Sequence, residues 1–466
     1  MTTTKNNEHK KLNFSSEREQ NQACLNSAEH EKNQGRKVLN VPNKREQNQT
    51  CLDSDEREGL RPKGNVPNLR FPEFQGEWKE EQLADIADLY KGTGISKDQL
   101  SDDGEPCILY GELYTKYKSE TIREVISKTN IDNTKLVRSK ANDVIIPCSG
   151  ETAEDITTAR CVLNGNILLG GDLNIIRLHG YDGAFMSYQL NGRRKYDIAK
   201  VAQGVSVVHL YGEHLKGVKT FNPCLEEQKK IAGLLALLDE RIATQNKIID
   251  KLQSLIKGLE DNLLDNPLWE KTYLRSFMQF FSTNSLSWEQ LSYKEGAIRN
   301  LHYGLIHGFQ TRGINSASLP MIKNEAIPKQ YTLCQVGDVA FADASEDTGE
   351  IAKSVEFVDT IEGDTICGLH TIHGRDIKNR TVVGFKGFAF NSRYFHNQIK
   401  RLAQGTKVFS ITANNLSSCY VYLPDLDTQT VIVRLLKSYE EQLIIDRMIF
   451  KQHEKQKQYL LRQMFI

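Results

Sequence analysis

The sequence predicts an α+β fold: two globular α/β-type domains in tandem, separated by two long helices that form an antiparallel coiled coil. Two observations carry this prediction: a segment that returns 201 positions later, and a heptad spacing of apolar residues inside it. Short strand patterns mixed with helical ones flank each copy. The predicted segments are a disordered, internally repeated tail (1–64), a first domain (69–222), a first helix (223–268), a second domain (271–422) and a second helix (423–466).

Composition and charge bound the class of protein. The chain has 466 residues, 39% hydrophobic and 26% charged, which is ordinary for a soluble globular protein. No apolar run is long enough to span a membrane and the N-terminus carries no apolar secretory segment, so we expect a cytoplasmic protein with no membrane partner. The 60 basic and 60 acidic residues cancel. Neutrality counts against a stand-alone DNA binder, so a DNA-binding role needs local patches or a partner.

The first 64 residues are polar and repeat themselves. REQNQACLNS at 18–27 returns as REQNQTCLDS at 45–54. A short repeat can signal a solenoid, but two polar copies cannot build a core. We therefore expect a duplicated disordered tail, and folded structure from about Leu69, where FPEFQGEW begins two residues later.

A larger repeat organises the rest of the chain. With a shift of 201, positions 202–265 share fourteen identities with 403–466, whereas unrelated sequences would share about four. The match opens with AQG at 202–204 and 403–405. Upstream the copies match more loosely: Asp143-Val144 resembles Asp338-Val339, and Trp78 has a counterpart in Trp288. The chain is a tandem duplication.

The repeated segment has the spacing of long helices. In the first copy the predicted seam is Ile231, Leu235, Leu238, Ile242, Gln245, Ile249, Leu252, Ile256, Leu259 and Leu263. This 4-3-4-3 pattern is typical of helices that pack knobs into holes, and some forty residues make a rod of about 60 Å. Gln245 is its one polar member, suited to setting register. The second seam is Ile432, Leu436, Tyr439, Leu443 and Phe450, interrupted by Asp446, His453 and Lys457. The alternative is two ordinary amphipathic helices, each packed on its own domain.

Motifs for catalysis and for metal binding are missing. There is no methyltransferase Asn/Asp-Pro-Pro-aromatic motif, P-loop or HExxH. The nine cysteines are scattered and never form C-x-x-C. Four histidines, His302, His307, His370 and His373, share one region without a clear ligand spacing, and ordinary polar or DNA-facing histidines are the alternative. The sequence predicts no enzyme, metal or cofactor of this chain's own.

DNA contact is the chemistry that remains. Arg can bridge a guanine edge, Gln an adenine edge, and backbone near glycine can hold phosphate. The candidates of the first domain are Lys91, Tyr114, Lys116, Ser149, Thr152, Arg193, Arg194, Lys195, Gln203 and Gly204. Those of the second are His307, Gln310, Arg312, Ser345, Arg375, Arg393, Gln404, Gly405 and Lys407. For each the alternative is a solvated side chain, and for AQG a turn with a structural glycine.

Three motifs resemble one protein family. FPEFQGEW followed by L-x-x-I, the AQG turn, and F-x-P-x-L-x-E-Q-x-x-I-A-x-L-L-x-x-L-D-x-x-I from Phe221 to Ile242 are similar to the specificity subunits of type I restriction–modification systems. The resemblance covers residues 69–466. The second copy departs from the string at Thr428, Thr430 and Arg434, which indicates a more diverged partner surface.

The resemblance implies a role for each part. Each domain would be a target-recognition domain that reads one half of a split site on double-stranded DNA, and the helices would set the spacing and dock two modification subunits. Those subunits would carry S-adenosylmethionine and methylate adenine, and restriction/translocase subunits would use ATP and Mg²⁺. Two alternatives stay open: an enzyme in its own right, and a coiled-coil scaffold with two protein-binding domains and no DNA role.

Overall fold

The computed structural model describes residues 64–132, 134–152, 154–204, 207–309, 312–359 and 363–466. The predicted disordered tail, Gly64 apart, and the candidate Gln310 therefore lie outside the described residues. Within the described ranges, no helix is both long and apolar enough to cross a membrane.

The first α/β domain contains two main sheets. Its strands are β1 (Lys79–Gln82), β2 (Ala87–Lys91), β3 (Leu100–Ser101), β4 (Glu105–Ile108), β5 (Thr121–Ile122), β6 (Ser127–Thr129), β7 (Asp143–Pro147), β8 (Ser149–Gly150), β9 (Arg160–Val162), β10 (Leu168–Leu169), β11 (Leu173–Leu178), β12 (Val208–His209) and β13 (Lys219–Asn222). Its helices are α1 (Leu83–Ile86), α2 (Glu112–Thr115), α3 (Gly183–Asn191), α4 (Lys195–Val201) and α5 (Gly212–Lys216), with 3-10 turns at Lys97–Gln99 and Asp155–Thr157.

The sheets of this domain have the orders β2-β11-β7-β9-β5 and β10-β4-β6-β3, with two-stranded pairs β1-β13 and β12-β8. Strand β7 is buried along its whole length, which is what a continuous apolar run predicts. The stretch DVIIPCS contains β7, NILLGGDLNIIRL contains β10 and β11, and GAFMSYQLNG contains the helix α3, so the expected mixture of strands and helices is confirmed.

The second α/β domain repeats this plan. Its strands are β14 (Glu270–Tyr273), β15 (Met278–Phe281), β16 (Leu291–Ser292), β17 (Ile298–Leu301), β18 (Gly313–Ile314), β19 (Met321–Ile322), β20 (Val339–Ala342), β21 (Ala344–Ser345), β22 (Ser354–Phe357), β23 (Asp364–Cys367), β24 (Thr371–Asp376), β25 (Phe409–Ser410) and β26 (Tyr420–Leu423). Its helices are α7 (Tyr303–Gly308), α8 (Phe385–Ala389), α9 (Arg393–Leu402) and α10 (Ala413–Ser418), with 3-10 turns at Leu274–Ser276, Trp288–Gln290, Ser316–Ser318 and Asn324–Ala326.

Every sheet of one domain has a counterpart in the other. The five-stranded order β15-β24-β20-β22-β18 and the four-stranded set β16-β19-β17-β23 match those of the first domain, as do the pairs β14-β26 and β21-β25. Asp143-Val144 and Asp338-Val339 take equivalent places at the starts of β7 and β20. Trp78 immediately precedes β1, however, and Trp269 immediately precedes β14. The predicted pairing of Trp78 with Trp288 is therefore wrong, and Trp269 is the counterpart.

Two long helices follow the two domains: α6 (Leu225–Leu264) and α11 (Leu426–Gln463). Pro223 stands just outside α6, and the Asp425 side chain caps α11 by accepting the N–H of Thr428 at 2.8 Å. At about 1.5 Å per residue, each helix is about 60 Å long.

The two helices run antiparallel. Leu235, near the start of α6, packs in one apolar cluster with Phe465, just beyond the end of α11. At the other end Leu264 packs with Ile432 and Leu436. Each α/β domain thus sits at one end of the pair, and its core includes residues of both helices.

The predicted seams face inward to different depths. In α6 the seam residues Ile231, Leu235, Leu238, Ile249 and Ile256 are buried, and Ile242, Gln245, Leu252, Leu259 and Leu263 are half-buried. In α11 Ile432 and Leu436 are buried, and Tyr439, Leu443 and Phe450 are half-buried. Knobs-into-holes packing along these seams stays a prediction.

The polar seam positions of the two helices meet each other. Gln245 Nε2, on α6, donates to Asp446 Oδ1, on α11, at 2.8 Å. Gln442, also on α11, donates to Asp446 Oδ2 at 3.1 Å. Asp446 is buried, so this residue, which interrupts the second seam in the sequence, is satisfied by the polar residue of the first.

A glutamine shared by the two copies ties each domain to its helix. The Gln228 side chain accepts the N–H of Asp182 at 2.9 Å and donates to the Pro223 carbonyl at 2.8 Å. Gln429 accepts the N–H of Val382 at 3.0 Å and donates to the Pro424 carbonyl at 2.9 Å. These equivalent hydrogen bonds explain why the proline and the glutamine are identical in the two copies of the repeat.

Candidate DNA-reading surfaces

Each AQG sequence closes an exposed hairpin. In the first, the backbone of Gln203 and His209 exchanges hydrogen bonds of 2.9 and 2.7 Å. Gly204 has φ +127°, and a Cβ there would lie 2.0 Å from the Val207 carbonyl oxygen. The turn therefore requires glycine. Strand β12, at the end of the hairpin, pairs with β8, so Ser149 lies opposite His209.

The second AQG has the same geometry. Gln404 and Ser410 exchange backbone hydrogen bonds of 3.0 and 2.8 Å. Gly405 has φ +130°, and its Cβ would also lie 2.0 Å from a carbonyl oxygen, that of Val408. Strand β25 pairs with β21, which places Ser345 opposite Phe409. The glycines are structural, while both glutamines are exposed on the hairpin.

We define the first hairpin surface as Lys91, Tyr114, Ser149, Thr152, Gln203 and Gly204. The Leu210 N–H donates to the Cys148 carbonyl at 2.8 Å, which holds the hairpin against β8. Burial, then the neighbouring Tyr110, raises the pKa of Tyr114, and the carboxylates of Asp155 and Glu151 add smaller effects. Helix α2 therefore lies close to the turn after β8. Lys91 lies opposite Asn174 in the β2–β11 pair, and the Asn174 side chain donates to the Leu210 carbonyl at 2.9 Å. Six predicted residues are thus gathered at one edge of the first domain.

The second hairpin surface consists of Tyr303, His307, Ser345, His370, Gln404, Gly405 and Lys407. His370 Nδ1 lies 3.1 Å from Asp343 Oδ1, and the Asp343 carbonyl accepts the Ile411 N–H at 3.0 Å beside the hairpin. The ring of Tyr303 lies 5.3 Å from that of His370 and 6.2 Å from that of His307.

An aromatic stack borders this surface. Ring centroids lie 4.5 Å apart for Trp288 and His302, and 4.7 Å for His302 and Tyr303. Burial, helped by the charge of His370, lowers the pKa of His302 to about 4, so its imidazole is neutral at pH 7. Trp288 is 45% exposed and can offer its ring face. Sequence reasoning missed Trp288 and Tyr303 as surface residues; a tryptophan in a polar stretch was the available signal.

The basic run at the end of α3 serves a different purpose from the one predicted. Arg193 donates to the carbonyl of Arg462 at 2.5 Å, and Arg194 donates to the carbonyl of Ile466 at 2.7 Å. Arg194 also lies over the Phe221 ring, 5.1 Å from its centroid. These guanidinium groups hold the C-terminal end of α11 against the first domain, so they are not candidates for DNA contact. Lys195 begins α4 and is half-buried.

Arg312 is also taken up inside the molecule. Its guanidinium pairs with Glu260 of α6 at 2.6 Å and with Glu440 of α11 in a shorter contact. Burial raises the pKa of both glutamates, and the Arg312 charge opposes that rise. Arg312 therefore holds the second domain against both helices. The prediction that it contacts DNA is replaced by this structural role.

One further candidate, Arg375, is held by a buried carboxylate of the core. Arg375 forms two hydrogen bonds with buried Asp338, at 2.8 and 2.7 Å, and Arg177 does the same with Asp143 at 2.9 and 2.7 Å. The pair is thus a repeated feature of the fold, and Arg375 is not free to read bases.

Two other predicted cations also lie off the hairpin surfaces. Lys116 pairs with buried Glu112 at 2.6 Å and with Ser127 at 2.7 Å. Arg393 is exposed but stands 4.0 Å from Asp261 of α6, next to the helix pair.

Known proteins resemble this chain along most of its length. Residues 75–254 match the family model of the type I restriction modification DNA specificity domain. The type I restriction enzyme MjaVIII specificity subunit of Methanocaldococcus jannaschii is 24% identical over 84% of this chain and 92% of its own length. The putative MjaX specificity subunit of the same organism is 23% identical over 85% of this chain and 95% of its own length.

A solved structure shares the fold. The type I restriction–modification S subunit from M. genitalium superimposes with a TM-score of 0.55 at 15% identity, covering 86% of this chain and 99% of the other. The matched domain model, the two relatives aligned almost end to end and the duplicated fold agree. This chain is therefore similar, along most of its length, to the specificity subunits of type I restriction–modification systems.

Proposed function

We propose that this chain is the non-catalytic, sequence-reading subunit of a type I restriction–modification complex, and that each hairpin surface reads one half of a split DNA target. The observation that carries the proposal is a pair of equivalent surfaces held at opposite ends of one antiparallel helix pair. A site that differs between its halves needs two readers with different side chains on one frame. Thr152 and Tyr114 on one surface, against His307 and Lys407 on the other, fit that need.

The dimensions of the helix pair support a split target. Leu235 packs with the first domain and Leu259 with the second. These residues are separated by about 36 Å along the helix at 1.5 Å per residue. That is close to one turn of B-DNA, 34–36 Å, so the two readers can face the same side of the duplex.

The outer faces of the helices support partner docking. On α6, Leu237 is 60% exposed, and on α11, Met448 is 60% exposed. The exposed apolar positions include pairs related by the internal repeat, Leu234 with Leu435 and Ile248 with Ile449. Two equivalent apolar stripes suit two copies of one partner. We propose that these are two modification subunits, which would bring S-adenosylmethionine, while restriction/translocase subunits bring ATP and Mg²⁺ in a cytoplasmic complex.

Partner subunits would also explain how a chain without net positive charge takes part in DNA binding. A chain of formal net charge zero supplies little of the phosphate attraction on which DNA affinity depends. Subunits that close around the duplex would supply it. The same neutrality favours the second candidate, a scaffold with two protein-binding domains and no DNA role.

Methylome sequencing separates the two candidates. A host would express the cognate modification subunit with or without this chain, and we expect methyladenine at a split motif only when the chain is present. Replacing residues 69–222 by the equivalent region of another family member should change one half of the motif alone.

Point variants sharpen the assignment. Gln203→Ala should relax one half-site and Gln404→Ala the other, whereas Lys128→Ala, an exposed control on β6, should change neither. An unchanged methylation pattern without the chain, in a host where the complex assembles, would leave the scaffold as the function.

A further inference from the structure

Two cysteines and a histidine meet in the core of the second domain. Cys334, in the loop before β20, has its Sγ 3.6 Å from the Sγ of Cys367 at the end of β23. His373 of β24 completes the group, and one ligand atom from each residue lies within 4.8 Å of the others. All three side chains are buried. The two cysteines are 33 positions apart in the sequence, so they form no short metal-binding motif that would predict the cluster.

The spacing suits a thiophilic ion. Two thiolates at 2.3 Å from a tetrahedral Zn²⁺ lie about 3.8 Å apart, close to the observed separation of the two sulfur atoms. Thiolate and imidazole ligands are those that Zn²⁺ prefers. Two thiolates, a neutral imidazole and a divalent cation also sum to zero charge, which reduces the cost of burial.

The histidine has a carboxylate partner of the kind that supports metal-bound histidines. Its Nε2 lies 2.7 Å from Asp338 Oδ2, and Asp338 is held in turn by Arg375. A carboxylate on one ring nitrogen fixes the ring, so Nδ1 is the nitrogen that would bind the ion. Asp338 accepts two hydrogen bonds from Arg375, at 2.8 and 2.7 Å, which hold this supporting carboxylate in place.

The first domain shows what the same frame holds without this cluster. Ser139 N–H donates to the Ile167 carbonyl at 2.8 Å as Cys334 N–H does to that of Thr365. Strand registers likewise equate Leu169 with Cys367 and Ile175 with His373. Where the first domain has Ser139, Leu169 and Ile175, the second has three metal-ligating residues. The fold itself does not demand them.

We propose that Cys334, Cys367 and His373 bind a thiophilic divalent metal ion, of which Zn²⁺ is the reference, in the core of the second domain. The ion would fasten the loop before β20 to strands β23 and β24, and a water molecule would take the fourth position. Its role is structural: it would stiffen the frame beneath the second hairpin surface. The inference is independent of the proposed DNA function.

Metal analysis of the purified full-length chain tests this directly. Reduced protein would be stripped with a chelator, incubated with Zn²⁺, dialysed and analysed by mass spectrometry for bound zinc. We expect about one zinc per chain, the stoichiometry of a single structural site. The triple variant Cys334→Ser, Cys367→Leu, His373→Ile carries the side chains of the first domain and should retain at least about tenfold less. Cys419→Ser, a buried cysteine outside the cluster, is the matched control and should bind zinc like the unaltered chain.

Cobalt gives a second readout that needs no stable variant. Co²⁺ added to the stripped, unaltered chain should produce thiolate-to-cobalt charge-transfer absorption, which stoichiometric Zn²⁺ then abolishes. Equal zinc in the unaltered chain and the triple variant, or no such absorption with both thiols free, would overturn the proposal. So would a Cys334–Cys367 disulfide in protein purified under reductant. In those cases the cysteines are apolar filling and His373 is a core histidine satisfied by Asp338.

Discussion

Replacing Arg312 by methionine should loosen the second domain from both helices. The substitution keeps an apolar stem for the Phe388 ring, over which Arg312 now lies at 5.6 Å, and removes the charge. Glu260 and Glu440 are then left nearly buried with no cation between them. Removing one partner of a buried ion pair costs about 3–5 kcal/mol. At about 2–4 °C per kcal/mol for a domain of this size, the melting temperature should fall by about 6–20 °C.

The loss of stability caused by Arg312→Met should grow as the pH rises from acidic to neutral. Burial already raises the pKa of both glutamates, and Arg312 is the main opposing influence. Without it, their folded-state pKa values rise further above the unfolded value of about 4.3. Between the two values the folded state binds more protons than the unfolded state, so stability falls as pH rises through the folded pKa. The deficit of Arg312→Met relative to the unaltered chain should therefore be largest at neutral pH and shrink as pH falls towards the unfolded pKa.

Thermal unfolding of the complete chain across that pH range is the assay. Arg393→Met is the matched control: it is an exposed arginine 4.0 Å from Asp261, and its loss should cost less than about 1 kcal/mol. The variant Arg312→Met, Glu260→Gln, Glu440→Gln removes all three charges and should recover much of the lost stability. The clamp assignment fails if Arg312→Met melts with the unaltered chain, if its deficit grows on acidification, or if the charge-free variant is no more stable.

Three further substitutions test other parts of the fold. Lys457→Met leaves two buried carboxylates without their cation, because Lys457 pairs with Glu120 at 2.5 Å and with Asp239 at 2.7 Å. Calorimetry should show that the free energy of unfolding falls by about 3–5 kcal/mol, and a fall below about 1 kcal/mol would contradict this. Gln245→Leu removes a hydrogen-bond donor from buried Asp446 and should lower the free energy of unfolding by about 1–3 kcal/mol. The double variant Gln245→Leu, Asp446→Leu should recover that stability. A double variant that is less stable than the single one would contradict the pairing. Gly405→Ala, whose Cβ would meet the Val408 carbonyl, should disrupt the second hairpin and abolish methylation through one half-site, while methylation at wild-type levels would show that the hairpin is not needed.

The sequence alone determined the organisation of the chain. Patterns with a fixed period can be read from the sequence, so the 201-residue repeat and the heptad seam disclosed two copies and two long helices before any contact was known. The AQG turns were found through the same repeat, and the positive φ of Gly204 and Gly405 explains why both copies keep the glycine. The resemblance to type I specificity subunits also followed from contiguous motifs, of which the string from Phe221 to Ile242 is the most specific.

Only the tertiary structure decided which side chains are free. A basic residue in a sequence looks available for DNA until its partner is known, and those partners lie far along the chain: Arg312 binds Glu440, 128 residues away. Arg194 binds a carbonyl 272 residues away, and Cys334 meets Cys367 across 33. Periodicity reports which face of an element is buried, but it carries no information about which distant group lies against that face. Helices and repeats were therefore readable from sequence, whereas the clamps, the hairpin surfaces and the cysteine–histidine cluster required the fold.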